Sequence, residues 1–279
     1  MQKLQVFQSM WAMQQRSANI AEFTIKEAVD KIANAGFNGV SAHWTNRESV
    51  SILSALLKAH GLSAEGQCFP KTVDDLKPVL ELAIRYPVSH LCLQPDIRPR
   101  KLAECIPLLA GWVELGKQAG IPVLIETHRD RMTTDLYFTL DLLEQLPDLP
   151  LLADLSHFLV GREFAYPISQ ENHQFMHKIM DNAWAFHGRV ASREQVQIEL
   201  SFPHHEPWVE LFMQWWEYGF ESWRSRAPDD AELVFVCELG PKPYAITKCD
   251  GEDSTDRWQE ALLLKERIKA LWVSCGFVA

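Results

Sequence analysis

The chain has 279 residues, 47% of them hydrophobic and 23% charged, an ordinary balance for a protein that can bury a sizeable core. Its 37 acidic side chains outnumber 27 basic ones, and the formal charge of −10 argues against nucleic acid as a partner. No uninterrupted apolar stretch opens the chain, so neither a signal segment nor a membrane partner is expected; six scattered cysteines with no CxxC pair point to reduced thiols in the cytoplasm.

Strand-like apolar runs alternate with helical patterns from end to end. Residues 4–13 read as a first strand and 24–35 as a helix stopped by Gly36. Strands at 37–44, 62–69 and 89–95 are followed by helices at 46–60, 73–85 and 100–119. A fifth strand at 121–126 precedes a helix at 133–145. The sixth, at 149–157, is followed by a loop and a helix around 170–182, and the seventh covers 184–192. A helix at 206–226, rich in aromatics, leads to an eighth strand at 232–239 and a last amphipathic helix at 256–273.

Eight strands joined by crossover helices close naturally into a (β/α)8 barrel, the predicted fold, in an α/β chain. An open doubly wound sheet is the competing architecture, but its glycine-rich phosphate fingerprint is absent. No linker or low-complexity run divides the chain, so residues 1–279 are expected to form a single barrel domain. The extra length at 194–207, after strand seven, falls on the face where barrels carry their chemistry and could cover it.

Two apolar runs end abruptly in acid: Ile121–Ile125 in Glu126, and residues 149–153 in Asp154. Reading the later strand ends adds His187 and Glu238, so four consecutive strands bring three carboxylates and one imidazole to one mouth. Repulsion forbids that all of these stay unpaired. A single divalent cation held by Glu126, Asp154, His187 and Glu238 resolves the conflict. The oxygen-rich donor set favours Mn²⁺ or Mg²⁺, with Co²⁺ or Zn²⁺ as substitutes.

This pattern resembles the xylose isomerase-like TIM barrels, in particular the ketose 3-epimerases and hydroxypyruvate isomerases. Their four ligands match Glu126, Asp154, His187 and Glu238; a histidine three residues after the aspartate matches His157; an arginine six residues after the metal histidine matches Arg193. The chain departs from the epimerases at Met132, where they carry a second glutamate. The resemblance implies a metal-dependent isomerase or epimerase that acts on a sugar or small polyhydroxy-carbonyl compound through an enediolate. It implies Mn²⁺ as the ion, Glu126 and Glu238 as acid/base groups, His157 as a proton shuttle at substrate oxygen, and Arg193 as a substrate-binding group.

His128, Arg129, Asp130 and Arg131 follow Glu126 and could bind an anionic group, while Trp11 and His43 could wall a carbohydrate pocket. The stripe of Phe212, Trp215, Trp216, Phe220 and Trp223 suits packing on the barrel or a homodimer contact. Three other readings stay open: a dehydratase of the inosose or keto-acid type using the same site, an apurinic endonuclease, and a non-catalytic sugar-binding protein. The endonuclease would need further histidines after strands three and four, where Gln67, Cys68 and Gln94 stand, and an Asp-x-His that is absent after strand seven.

Overall fold

The computed structural model describes residues 1–17 and 20–276. Its eight parallel strands pair in sequence order, and the last closes on the first: β1 (Lys3–Ser9), β2 (Gly39–His43), β3 (Ser63–Cys68), β4 (His90–Leu93), β5 (Val123–Glu126), β6 (Leu151–Ala153), β7 (Ala183–Gly188) and β8 (Glu232–Cys237). The expected (β/α)8 barrel is therefore the fold.

Local chemistry sets the helix ends. In α1 (Ile25–Asn34) the Thr24 hydroxyl takes the Glu27 amide, and the Glu27 carboxylate takes the Thr24 amide, two donors satisfied reciprocally. Side chains of Asn46, Asp135, Ser169 and Asp256 cap α2 (Arg47–His60), α5 (Leu136–Gln145), α7 (Gln170–Met180) and α9 (Arg257–Ser274). Gly61 and Gly120 stop α2 and α4 (Leu102–Ala119) in the left-handed conformation that a glycine adopts without penalty. Helix α3 (Lys77–Arg85) is shorter than expected, because residues 74–76 form a separate 3-10 turn.

The strands are also shorter than the apolar runs suggest. After β1 the chain turns through a 3-10 segment, Trp11–Met13. β6 keeps only three residues, and the apolar run beyond it becomes a short helix, α6 (Ser156–Gly161), that carries His157. The cause is Asp154, whose Oδ1 accepts the Ser156 amide at 3.0 Å and the Ser156 hydroxyl, turning the chain out of the sheet.

Alternation along the strands divides the barrel into two zones. Phe7, Cys92, Leu124, Leu152, Ala185, Val234 and Val236 pack together inside, while the outward residues join the helices in a larger core. In α8 (Glu206–Arg226), Phe212, Trp215, Trp216, Phe220 and Trp223 are all buried in this core, with Trp216 and Phe220 edge-on to Phe235 of β8. Of the two roles the stripe suits, packing on the barrel is the one these rings fill, each at most 1% exposed. Among the described residues no helix is long and apolar enough to cross a membrane, and four of the six free cysteines are buried.

The barrel floor fixes one glycine. A Cβ on Gly39 would meet the Ser63 carbonyl at 2.5 Å and the Phe7 ring at 2.6 Å. Because one obstacle is backbone, Gly39→Ala should destabilise the fold by about 1–3 kcal/mol. A lowered urea midpoint at unchanged slope would show this.

Candidate metal centre

The inward positions just above the apolar floor are polar. Glu126 ends β5, His187 sits near the end of β7, and Asp154 and Glu238 follow β6 and β8 directly. All four are buried, none more than 4% exposed. One oxygen each of Glu126 and Glu238 and a ring nitrogen of His187 lie within 4.8 Å of one another, close enough to share an ion. His187 Nδ1 is 3.4 Å from Glu126 Oε1 and 3.2 Å from Glu238 Oε2. Asp154 stands outside this trio: its Oδ2 is 3.6 Å from Arg189 Nη1 and 3.5 Å from His157 Nε2.

Three of the four groups use one atom on a protein partner and leave the other unpaired. Glu126 Oε2 accepts the Cys92 thiol at 3.0 Å, whereas Oε1 has no hydrogen-bond partner. Asp154 Oδ1 is held by Ser156, and its Oδ2 has no hydrogen-bond partner. His187 Nε2 is 2.9 Å from Glu65 Oε1, and its Nδ1 is unpaired. Buried polar atoms are almost always satisfied. Unpaired oxygens and an imidazole nitrogen in one mouth are the donor set of a divalent cation, so these residues fit the group the sequence implied. Glu238 differs, because Arg189 takes its Oε2 with Nη2 at 2.7 Å and its carbonyl with Nε at 3.1 Å.

Beneath the trio lies a charged network that strand-end reading missed. Register places Ser41, Glu65 and His90 of β2, β3 and β4 at one level, facing inward. Glu65 accepts the Ser41 hydroxyl at 2.6 Å, contacts His90 Nε2 at 2.7 Å and reaches across the barrel to His187. A carboxylate only accepts, so both imidazoles must turn an N–H toward it. His187 is thereby oriented from below, with Nδ1 aimed at Glu126 and Glu238.

Electrostatics follow from this packing. Burial alone would lower the His187 pKa, but Glu238, Glu65 and Glu126 outweigh it and push the ring well above its ordinary value. Burial would raise Glu65 and Glu126, yet His187 holds both below the usual carboxylate range. Asp154 goes the other way: burial dominates and raises it, against the opposing charge of Arg189. His157 is pushed well below the usual histidine range by burial and then by its neighbours His128 and Arg189, so it is a neutral imidazole. Neither of its ring nitrogens has a hydrogen-bond partner.

The remaining candidates divide. The His128 ring lies 4.1 Å from that of His157. Trp11 packs edge-on to Tyr244 and lies 5.6 Å from the Arg189 guanidinium. A Cβ on Gly240 would stand 2.0 Å from the Trp11 ring, so only glycine lets the indole seat there. His43 ends β2 against Phe69, two residues above Ser41 on the same inward face. Arg193 does not join them: it is 45% exposed and faces Glu163 at 3.7 Å and Glu194 at 3.5 Å. The guanidinium inside the centre belongs to Arg189, two residues after His187 and hence on the same face. Met132 is buried, so no carboxylate occupies that place. The 194–207 segment is pinned, its Gln197 amide exchanging two hydrogen bonds with Gly240 and its Leu200 amide donating to Glu260.

No family model matches the sequence, and no curated protein matches it. Solved structures do match in fold. A D-psicose 3-epimerase from Clostridium cellulolyticum H10, solved with D-tagatose, superposes with a TM-score of 0.62 at 11% identity, over 96% of this chain and 99% of its own. A xylose isomerase-like TIM barrel protein from Mycobacterium smegmatis, in complex with magnesium, gives 0.63 at 10% identity over 97% of each chain. The fold is shared with other chemistry: a probable 3-DHS dehydratase, AsbF, from Bacillus anthracis gives 0.53 at 14% identity over 97% of this chain and 98% of its own, and a family 2 AP endonuclease from Brucella melitensis is similar too. The chain thus has the fold of the xylose isomerase-like TIM barrels.

Two predictions follow from the imidazole and its support. An ion at Nδ1 must displace the proton that the surrounding carboxylates favour on His187. Mn²⁺ affinity should therefore rise with pH and fall about tenfold per unit below the His187 pKa, as titration calorimetry at several pH values would measure. A Glu65→Gln side chain has one acceptor oxygen for three donors and turns an N–H₂ toward one imidazole. It should weaken Mn²⁺ binding about 10–100-fold, whereas Ser41→Ala, which removes a neutral donor from the Oε1 that His187 also contacts but keeps the carboxylate and its charge, should leave affinity near wild type.

Proposed function

We propose that this chain is a divalent-metal-dependent isomerase or epimerase acting on a sugar or other small polyhydroxy-carbonyl compound. The observation that carries this reading is the convergence of Glu126 Oε1, His187 Nδ1 and Glu238 Oε2 in a buried mouth, the first two without a hydrogen-bond partner. The fold shared with a D-psicose 3-epimerase is in keeping with it. Residues 1–279 act on this reading as one barrel domain in the cytoplasm.

Glu126, His187 and Glu238 would hold the ion, with Asp154 as the fourth ligand and Mn²⁺ preferred because oxygen donors predominate. When bound, the ion supplies Lewis-acid stabilisation of the negative charge that develops on substrate oxygen after proton abstraction. Glu126 and Glu238 are the carboxylates that take a proton from the carbon beside C=O and return one to it or to its neighbour. Cys92 fixes Glu126 and Arg189 fixes Glu238, so each base is oriented before substrate arrives. Neutral His157 hydrogen-bonds a substrate oxygen and relays its hydroxyl proton. Trp11, His43 and His128 wall the pocket, and Arg189 takes the place at substrate that the sequence suggested for Arg193.

Dehydration is the second reading. It is favoured by His157, whose two unpaired nitrogens could deliver a proton to a departing hydroxyl. A Mn²⁺-supplemented screen of ketoses, inososes and hydroxy-keto acids in D₂O, scored by mass, separates the two. Isomerisation or epimerisation conserves the heavy-atom formula and incorporates solvent deuterium, whereas dehydration loses water. Glu126→Gln and Glu238→Gln should each lower turnover by about 10²–10⁴-fold. Full activity in either variant, or a purified protein that takes up no divalent ion, would overturn the proposal.

A further inference from the structure

We propose that the barrel mouth carries an anion clamp, formed by Arg129, Arg189 and His157 beside Tyr244, and that the substrate bears a carboxylate or phosphate group which this clamp reads. The inference rests on the sugar-metabolising reading of the centre and specifies its substrate class.

The Tyr244 ring gathers two guanidinium groups, those of Arg129 and Arg189, each 4.7 Å from its centroid. Two like charges on one ring repel each other unless an anion joins them. Arg189 has carboxylate partners in Glu238 and Asp154. Arg129 has none: among the described residues no carboxylate lies within ion-pair distance of it. The acids nearby are engaged elsewhere, since Asp96 and Asp130 pair with Arg98 and Arg131. Arg129 is thus the member of the 129–131 loop left facing Tyr244 without a counter-charge.

On the interior side of the same space the nearest acceptor, Asp154 Oδ2, stands 3.6 Å from Arg189 Nη1 and 3.5 Å from His157 Nε2, too far to hydrogen-bond either. Arg189 Nη1 and both nitrogens of His157 are buried without a hydrogen-bond partner. A divalent ion in the centre would draw on Glu238 and Asp154, leaving Arg189 shorter still of negative charge. A neutral hydroxyl could accept one of these hydrogen bonds but would leave the charge of Arg129 uncompensated. A planar carboxylate or a phosphate meets both needs, because its oxygens accept from a guanidinium fork on one side and from imidazole on the other. The metal ligands would then act on the carbonyl and hydroxyl end of a molecule anchored by its acidic end.

The test is titration calorimetry of the purified protein, with and without Mn²⁺, using three probes of one carbon skeleton: D-arabinonate, D-arabinose 5-phosphate and neutral D-arabitol. At least one anionic probe should bind about tenfold tighter than arabitol, the worth of one charge-assisted hydrogen bond. Whichever binds tightest identifies carboxylate or phosphate as the group read. Arg129→Gln, an exposed change that spares the core, should erase most of this preference and leave arabitol unaffected; Arg129→Lys should keep part of it. Equal binding of all three probes, no binding of any, or a preference that survives Arg129→Gln would overturn the clamp. An anion preference in a protein that takes up no Mn²⁺, or that turns over nothing in the screen above, would refute the proposed function and leave the clamp standing.

Discussion

Four carboxylates, those of Glu65, Glu126, Asp154 and Glu238, are enclosed in one barrel, and their mutual repulsion governs everything built around them. Each charge moved out of water costs several kcal/mol even after relaxation. The fold offsets this with positive or donor groups placed against each: His90 and His187 for Glu65, Cys92 and His187 for Glu126, Ser156 for Asp154, and Arg189 for Glu238. The compensation is incomplete on the upper side only. Glu65, lowest of the four, has all its donors, whereas Glu126 and Asp154 keep a bare oxygen each. That gradient from satisfied floor to unsatisfied rim is what makes the mouth a place for a cation.

Much of this was legible in the amino-acid order. Acid or imidazole at the end of an apolar run marks a strand terminus, which is how Glu126, Asp154, His187 and Glu238 stood out, and the number of such runs led to the closed barrel. Residues inside strands were harder to read. Glu65, in the run SAEGQC, and His90, at the start of β4, carry no positional signal until the register fixes which side chains face inward. Arg189 and Arg193 both stand an even number of residues after His187, so alternation alone does not choose between them; β7 ends at Gly188, and only Arg189 is close enough to that end to keep the inward face. The helical turn after Asp154 was missed for another reason. Its apolar pattern suits strand or helix, and a side-chain hydrogen bond to Ser156 decides between them.

The rim is built from contacts that tie distant loops together. Trp11 lies where only a glycine at 240 permits, Gly240 is gripped through both backbone groups by Gln197, and Tyr244 receives Trp11 edge-on while facing both guanidinium groups. Loops after β1, β5, β7 and β8 thus form one wall, and a change in any of them reaches the others through packed rings. The charged centre below can keep fixed geometry because its walls do not move independently.

The seam between β1 and β8 runs over six residue pairs, from Lys3 with Glu232 to Gln8 with Cys237. It joins segments more than two hundred positions apart, the slowest kind of contact for a chain to find. During synthesis, Glu238 is the last of the four strand-end groups to leave the ribosome. A nascent chain halted before β8 therefore lacks both the closing strand and the partner that Arg189 has in Glu238, and its mouth stays half-assembled.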